Sequence, residues 1–191
     1  MRHSPFTAVY DACVLYPAPL RDFLIWLGLS GRFRARWSAQ IHGEWKRNLL
    51  QNRPDLSAEQ LDRTSALMDQ AIPDGLVVGY EAIIPGLVLP DSDDCHVLAA
   101  AIRCNASVIV TFNEKDFPVD ALTPFGIEAQ HPDVFIEYLF DLDPAVVVAA
   151  AQRQRAQLKN PPIEVERYLA ILLRQGLVQT AKALARYQAI L

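Results

Sequence analysis

Acidic residues stand at four places where the neighbouring sequence gives an acid, or so many acids, little reason to be. Asp11 interrupts the apolar and β-branched run Thr7 to Tyr16 (TAVYDACVLY), and an unpaired carboxylate in such a setting is costly. Glu44 lies one position from Trp45 and three from Ile41, at the edge of an apolar helix face. Asp91, Asp93 and Asp94 crowd a single turn, where one acid suffices as an N-cap favoured by the helix dipole. Asp116 closes the loop Thr111-Phe112-Asn113-Glu114-Lys115-Asp116-Phe117, placed outside the carboxyl end of a strand, where open α/β sheets hold their ligands.

Each acid has a local explanation: a core Asp bonded to amides or an arginine, a solvated helix edge, a cap, a turn. One function explains them together. Three or four carboxylates hold a hard divalent cation through oxygen, and the cation offsets their repulsion. Mg²⁺ in such a setting activates a water and stabilises charge on a phosphoryl oxygen.

The elements that must position these acids follow from periodicity. Thr7 to Tyr16 reads as a buried strand with Asp11 inside it. Ala18 to Leu29 has helical spacing, stopped by Gly28 and Gly31. Arg36 to Leu50 carries Trp37, Ile41, Trp45 and Leu49 at steps of four and reads as a helix. Ser57 with Gln60 forms a capping box for a helix that ends before Pro73. Gly75 to Gly79 is a short strand, Val97 to Ile102 marks a helix with acids in its first turn, and Ser107 to Thr111 is a second buried strand. This order predicts an α/β fold around a mostly parallel sheet.

At Asp143-Pro144 the pattern turns wholly helical, over Pro144 to Leu158, Val165 to Leu173 and Leu177 onward, broken at Asn160-Pro161-Pro162. The expected organisation is residues 1–143 as the unit that holds the acids and 144–191 as a helical extension. The chain has 191 residues, enough for one core of about 100–150 residues and an appendage. A net charge of −4 excludes binding of nucleic acid over the whole surface and confines any contact to a local patch. The three cysteines are far apart and lack metal or redox spacing, so they read as reduced and structural. No apolar run reaches the roughly 18 residues of a membrane span, and the N-terminus lacks a signal layout, so a cytoplasmic location is expected.

Three stretches then resemble the PIN-domain ribonucleases, particularly bacterial VapC-like toxins: Val9-Tyr10-Asp11-Ala12-Cys13-Val14-Leu15-Tyr16-Pro17, Asp91-Ser92-Asp93-Asp94-Cys95-His96-Val97-Leu98-Ala99-Ala100-Ala101, and Val110 to Pro118, with Glu44 between the first two. The resemblance covers residues 5–140. It implies a three-layer α/β/α sandwich whose acids bind Mg²⁺ or Mn²⁺ for hydrolysis of RNA phosphodiester bonds. On that basis Asp11, Glu44, Asp94 and Asp116 are the catalytic positions. Asp11, Asp94 and Asp116 would hold metal, and Asn113 and Thr111 give polar support. Because Asn113 is uncharged, it leaves open whether one metal is held or two. The resemblance also implies a cognate antitoxin protein and a homodimer.

Arg32, Arg34 and Arg36 before the Glu44 helix, with Lys46 and Arg47 on it, are candidate RNA contacts; a solvated face is the alternative. His42 and His96 each lie near an acid, which raises Zn²⁺ or Mn²⁺ as an option, although His96 is out of phase with Asp94 on a helix. Neither a Ser-His-Asp order nor a Gly-rich phosphate loop is present. Two other functions compete: a catalytically inactive PIN-like binding module, and a Mg²⁺-dependent phosphatase. The phosphatase requires a second Asp where Cys13 stands.

Overall fold

The computed structural model describes residues 6–159 and 161–191. The first five residues and Asn160 of the Asn160-Pro161-Pro162 break lie outside the described residues. In chain order the elements are β1 (Phe6–Tyr10), α1 (Ala12–Leu15), α2 (Ala18–Gly28), β2 (Phe33–Ser38), α3 (Ala39–Asn52), α4 (Ala58–Ala71), β3 (Leu76–Val77), α5 (Cys95–Arg103), β4 (Val108–Val110), α6 (Val119–Leu122), β5 (Glu128–Gln130), α7 (Pro132–Leu142), α8 (Pro144–Gln157), α9 (Val165–Arg174) and α10 (Val178–Ala185). The five strands form one sheet in the order β3-β2-β1-β4-β5, and every pairing is parallel. The expected α/β/α sandwich with a helical C-terminal part is the fold observed.

Alternation along β1 and β2 sets the two faces of the sheet. Phe6, Ala8 and Tyr10 share one face, and the register Phe6↔Phe33 and Ala8↔Ala35 puts Phe33, Ala35 and Trp37 beside them. Phe33 meets Phe135 of α7 edge-on at 5.1 Å between ring centres, and the Tyr10 hydroxyl donates to the Leu24 carbonyl of α2 at 3.1 Å. Helices α2 and α7 thus cover that face. Helix α5 covers the centre of the sheet from the other side. Its run Cys95–Ala101 is entirely buried; Val97, Leu98 and Ala101 join the main core, while Ala99 and Ala100 pack with Val77 and Tyr80. Full burial of rings such as Tyr10, Trp37 and Phe135 stabilises the fold by about 1.5–3 kcal/mol each.

Two local expectations are corrected. Strand β1 ends at Tyr10, so Asp11 is not inside a strand; its side chain accepts from Ala12 N and caps α1. A carboxylate one residue past the strand finds an orphan helix amide there, which mid-strand it would not. The helix expected from Arg36 begins at Ala39, and Phe33–Ser38 is a strand. Phe33, Ala35 and Trp37 have a period of two that outweighs the step of four from Trp37, and Ser38 ends the strand as the N-cap, accepting from Ile41 N at 3.2 Å. The short edge strand β5 has no counterpart in the sequence reading.

The C-terminal helices pack on the core. Helix α8 lies against α2, and α10 lies against α7. Asp133, buried in the first turn of α7, accepts from Gln179 N, Thr180 N and the Thr180 hydroxyl at 2.8–2.9 Å. These groups begin α10, whose first amides have no partner within the helix.

Candidate active site

Strands β1 and β4 are neighbours at the point where the strand order reverses direction, the usual location of a ligand crevice in a parallel sheet. Both end at the same edge, and the acids collect there. Asp11 follows β1 and is 2% exposed. Its Oδ1 accepts from Ala12 N at 2.6 Å. Its Oδ2 accepts from the Thr111 hydroxyl at 2.7 Å and from the Cys13 thiol at 3.0 Å. Burial raises the Asp11 pKa, the Cys13 and Thr111 hydrogen bonds oppose this, and the charge of Glu44 adds to it. Thr111 is fully buried and also accepts from Asn113 N at 2.9 Å, so one hydroxyl ties the end of β1 to the loop after β4.

Asp94 is the junction between the turn Ser92–Asp94 and α5, and its side chain makes no cap hydrogen bond. Asp91 performs that service instead, accepting from Asp93 N at 2.9 Å. Asp94 is therefore free to face the crevice. Its pKa is pushed up to about 7, first by burial and then by the charges of Asp11, Asp91, Glu44 and Asp116. The field at this carboxyl group registers all three of the other acids singled out in the sequence. Asp116 reaches the group from the one-turn helix Glu114–Asp116, which Asn113 precedes.

Glu44 is carried by α3, whose orientation is fixed by its tryptophan. The Trp45 indole N–H donates to His42 Nδ1 at 3.0 Å, so His42 Nε2 carries the proton and donates to Asp69 at 3.1 Å. Burial lowers the His42 pKa and keeps the ring neutral. The Arg21 guanidinium stacks over Trp45 at 4.9 Å from the ring centre, which suits a desolvated cation. Held this way, Glu44 meets the buried His96, with Nε2 3.3 Å from Oε2.

Of the five basic residues considered for RNA, only Arg47 lines the cavity that Glu44 opens into. Arg34 lies level with Thr7 in the sheet register, at the end of the strands away from Asp11. Arg32 precedes it in the chain and pairs with Asp143. Arg36 acts on Cys104, beyond the C-terminus of α5, and Lys46 pairs with Asp62 at 2.7 Å. Arg34 and Arg36 lie on β2 and Arg32 just before it, and none of the three lines the cavity beside Glu44. His42 is engaged with Asp69 and Trp45, away from any metal role.

Two side chains of the site were missed by sequence reasoning. Cys13, expected to be structural, contacts Asp11, Thr111 and Phe112 N, and burial, with the Asp11 charge, raises its pKa so that it stays a neutral thiol donor. Its position two residues after Asp11, across one turn, was the available signal. His96 was dismissed for its phase relative to Asp94; its partner is Glu44, 52 residues away, which no local spacing reveals.

An all-carboxylate donor set with a neighbouring hydroxyl suits a hard cation; the upward shift at Asp94 comes first from burial and then from the nearby acids, whose repulsion such a cation would offset. Among the described residues, no three His, Cys, Asp or Glu side chains are grouped closely enough to hold a metal ion as they stand.

A parallel sheet of this order is a doubly wound α/β fold, and its acids lie at the carboxyl edge where such folds hold ligands. The PIN domain family model matches residues 7–115, and the chain belongs to the PIN-domain family. A second family model, the VapC50 C-terminal domain, matches residues 132–186. One curated protein, named "Putative ribonuclease VapC50" and found in Mycobacterium tuberculosis, is 59% identical over 49 residues. That match covers 26% of this chain and 29% of the relative, so it spans less than a third of either. No solved structure matches the chain. Among the described residues, no helix is long and apolar enough to cross a membrane.

Proposed function

We propose that the protein is a Mg²⁺- or Mn²⁺-dependent endoribonuclease, the toxin of a toxin-antitoxin pair, acting in the cytoplasm and silenced by a cognate antitoxin. The observation that carries this reading is Asp94, whose carboxyl group is raised to about 7 in part by Asp11, Asp91, Glu44 and Asp116. Packing alone gives no reason to gather those charges. Asp11, Asp94 and Asp116 are the residues that would hold the cation, with Glu44 beside them, and Mg²⁺ takes only one or two carboxylates directly while keeping waters. When bound, the cation supplies an activated water and neutralises charge on the phosphoryl oxygen.

The chain's own groups do the rest. Thr111 and Cys13 hold the inner oxygen of Asp11, so this carboxylate has one orientation. His96 Nε2–H donates to Glu44 and fixes that side chain against α5. Asn113, exposed at the mouth, offers an amide to the passing strand, and Arg47 offers a charge. The division into a nuclease unit, 1–143, and a helical extension, 144–191, belongs to the same proposal. It is supported by the family match over 132–186, although that match starts within α7.

The test is incubation of purified protein with labelled RNAs in Mg²⁺, Mn²⁺ or EDTA. Cleavage should require the metal and vanish in Asp11→Asn and Asp94→Asn. Equal cleavage by wild type and both variants would mean a contaminating nuclease and remove the assignment.

A further inference from the structure

Next to the acids lies a cavity of about 440 Å³ that shares Glu44, His96 and Arg47 with the proposed site and extends beyond it along α3. One face of α3 forms its wall through Gln40, Glu44, Arg47 and Asn48, residues spaced to lie along the same side of a helix. Ile84 and Asp93 close the opposite side, and the buried His96 lies where the cavity meets Glu44. Glu44 therefore belongs both to the acidic centre and to this cavity, so whatever fills the cavity is adjacent to a phosphate held at the acids.

The lining decides the chemistry of the occupant. It has one cation, Arg47, against two carboxylates, Glu44 and Asp93, so it disfavours a second phosphate. It has two neutral amides, each with a donor and an acceptor, and Ile84 offers an apolar wall. A neutral, flat, hydrogen-bonding group fits that set, and the volume falls within the range of small-ligand sites, about 300–1,000 Å³. Single-stranded RNA presents such groups as splayed bases, read along their edges. Among the bases, carboxylates accept from exocyclic amino groups, and uracil has none.

We infer that this cavity is a base-reading subsite for the nucleotide that flanks the scissile phosphodiester, with Gln40 and Asn48 hydrogen-bonding the edge of the base and Asp93 selecting an amino-bearing base over uracil. The inference rests on the nuclease reading for its substrate class but can fail separately from it. The assay is fluorescence anisotropy of labelled cytidine, adenosine and uridine hexaribonucleotides with Asp11→Asn protein in EDTA, where no cleavage occurs. The cytidine or adenosine oligomer should bind about tenfold more tightly than the uridine oligomer, the scale of one good base-edge contact. That preference should disappear with Asp93→Asn, a same-shape change at an exposed residue, while Gln40→Ala with Asn48→Ala should weaken binding of all three oligomers. Binding without base preference, preference that survives Asp93→Asn, or no binding would each overturn the subsite. If metal-dependent cleavage by wild type persists in those cases, the nuclease reading stands alone. Base preference without any cleavage would keep the subsite and sink the nuclease.

Discussion

Replacing Asp94 by Asn in metal-free protein should raise stability above pH 7, because the wild-type carboxylate is charged there among other acids. The rise of its pKa from 3.8 to about 7, at about 1.4 kcal/mol per pH unit, sets a ceiling of about 4 kcal/mol. Asp94 is only half-buried, so solvent and salt screen the repulsion, and about 1–2 kcal/mol is the expected gain. The sign follows from proton linkage: between pH 4 and pH 7 the native state holds this proton more tightly than the unfolded state, so wild-type stability falls as pH rises. The variant lacks that slope, so the gap should open from about pH 4, become full near pH 7 and stay flat above it. For a chain of this length it corresponds to a Tm difference of about 2–8 °C. Metal should reverse the order: at a hundredfold excess over Kd, Mn²⁺ should stabilise wild type by about 2.7 kcal/mol and the variant far less. Thermal melts of both proteins at pH 5, 7 and 8, in EDTA and in Mn²⁺, measure each part. An Asp94→Asn protein less stable than wild type at pH 8 in EDTA, with neither protein responding to Mn²⁺, would refute the reasoning.

Cleavage assays should rank the acids: Asp11→Asn and Asp116→Asn should each lose activity by about a hundredfold or more. Asp91→Asn should lose much less, since Asn caps a helix about as well as Asp; greater sensitivity at Asp91 than at Asp94 would reverse their assigned roles. Expression of wild type should slow growth of a bacterial host and Asp11→Asn should relieve it, whereas normal growth at high soluble expression would favour an inactive binding module. Asp133→Ala leaves three donors at the start of α10 without an acceptor and should cost about 3 kcal/mol, read as earlier denaturant unfolding and faster proteolysis of the last helices. Unchanged unfolding would show that α10 is held by its apolar contacts alone.

What the sequence revealed and what it hid divide along physical lines. Strong periods survive translation into structure: the Ser57–Gln60 capping box starts α4 as expected, and Val108–Val110 is a fully buried strand. Asp11 was recognised as out of place because an acid amid apolar residues is a local anomaly. Its solution, two side-chain donors and a helix amide, is tertiary and was invisible. The expected helix start at Arg36 is a strand residue instead, since Trp37 satisfies both a period of two and a period of four. The His96 partnership and the roles of Asp91 and Asp94 depend on where α3 and α5 meet, which no spacing within one element encodes. The three-residue strand β5, half-exposed at the sheet edge, carries too little pattern to be seen.

The hydrogen bond from Thr111 to Asp11 closes a loop of 100 residues. Such distant pairings are made late, because loop closure must precede the contacts that reward it. A chain still being synthesised therefore has Asp11 and Glu44 long before it has the strand that turns them into a site. On the nuclease function proposed above, the emerging polypeptide cannot cut the RNA around it, including its own message, until β4 docks beside β1 and the turn after β4 brings Asp116 to the other acids.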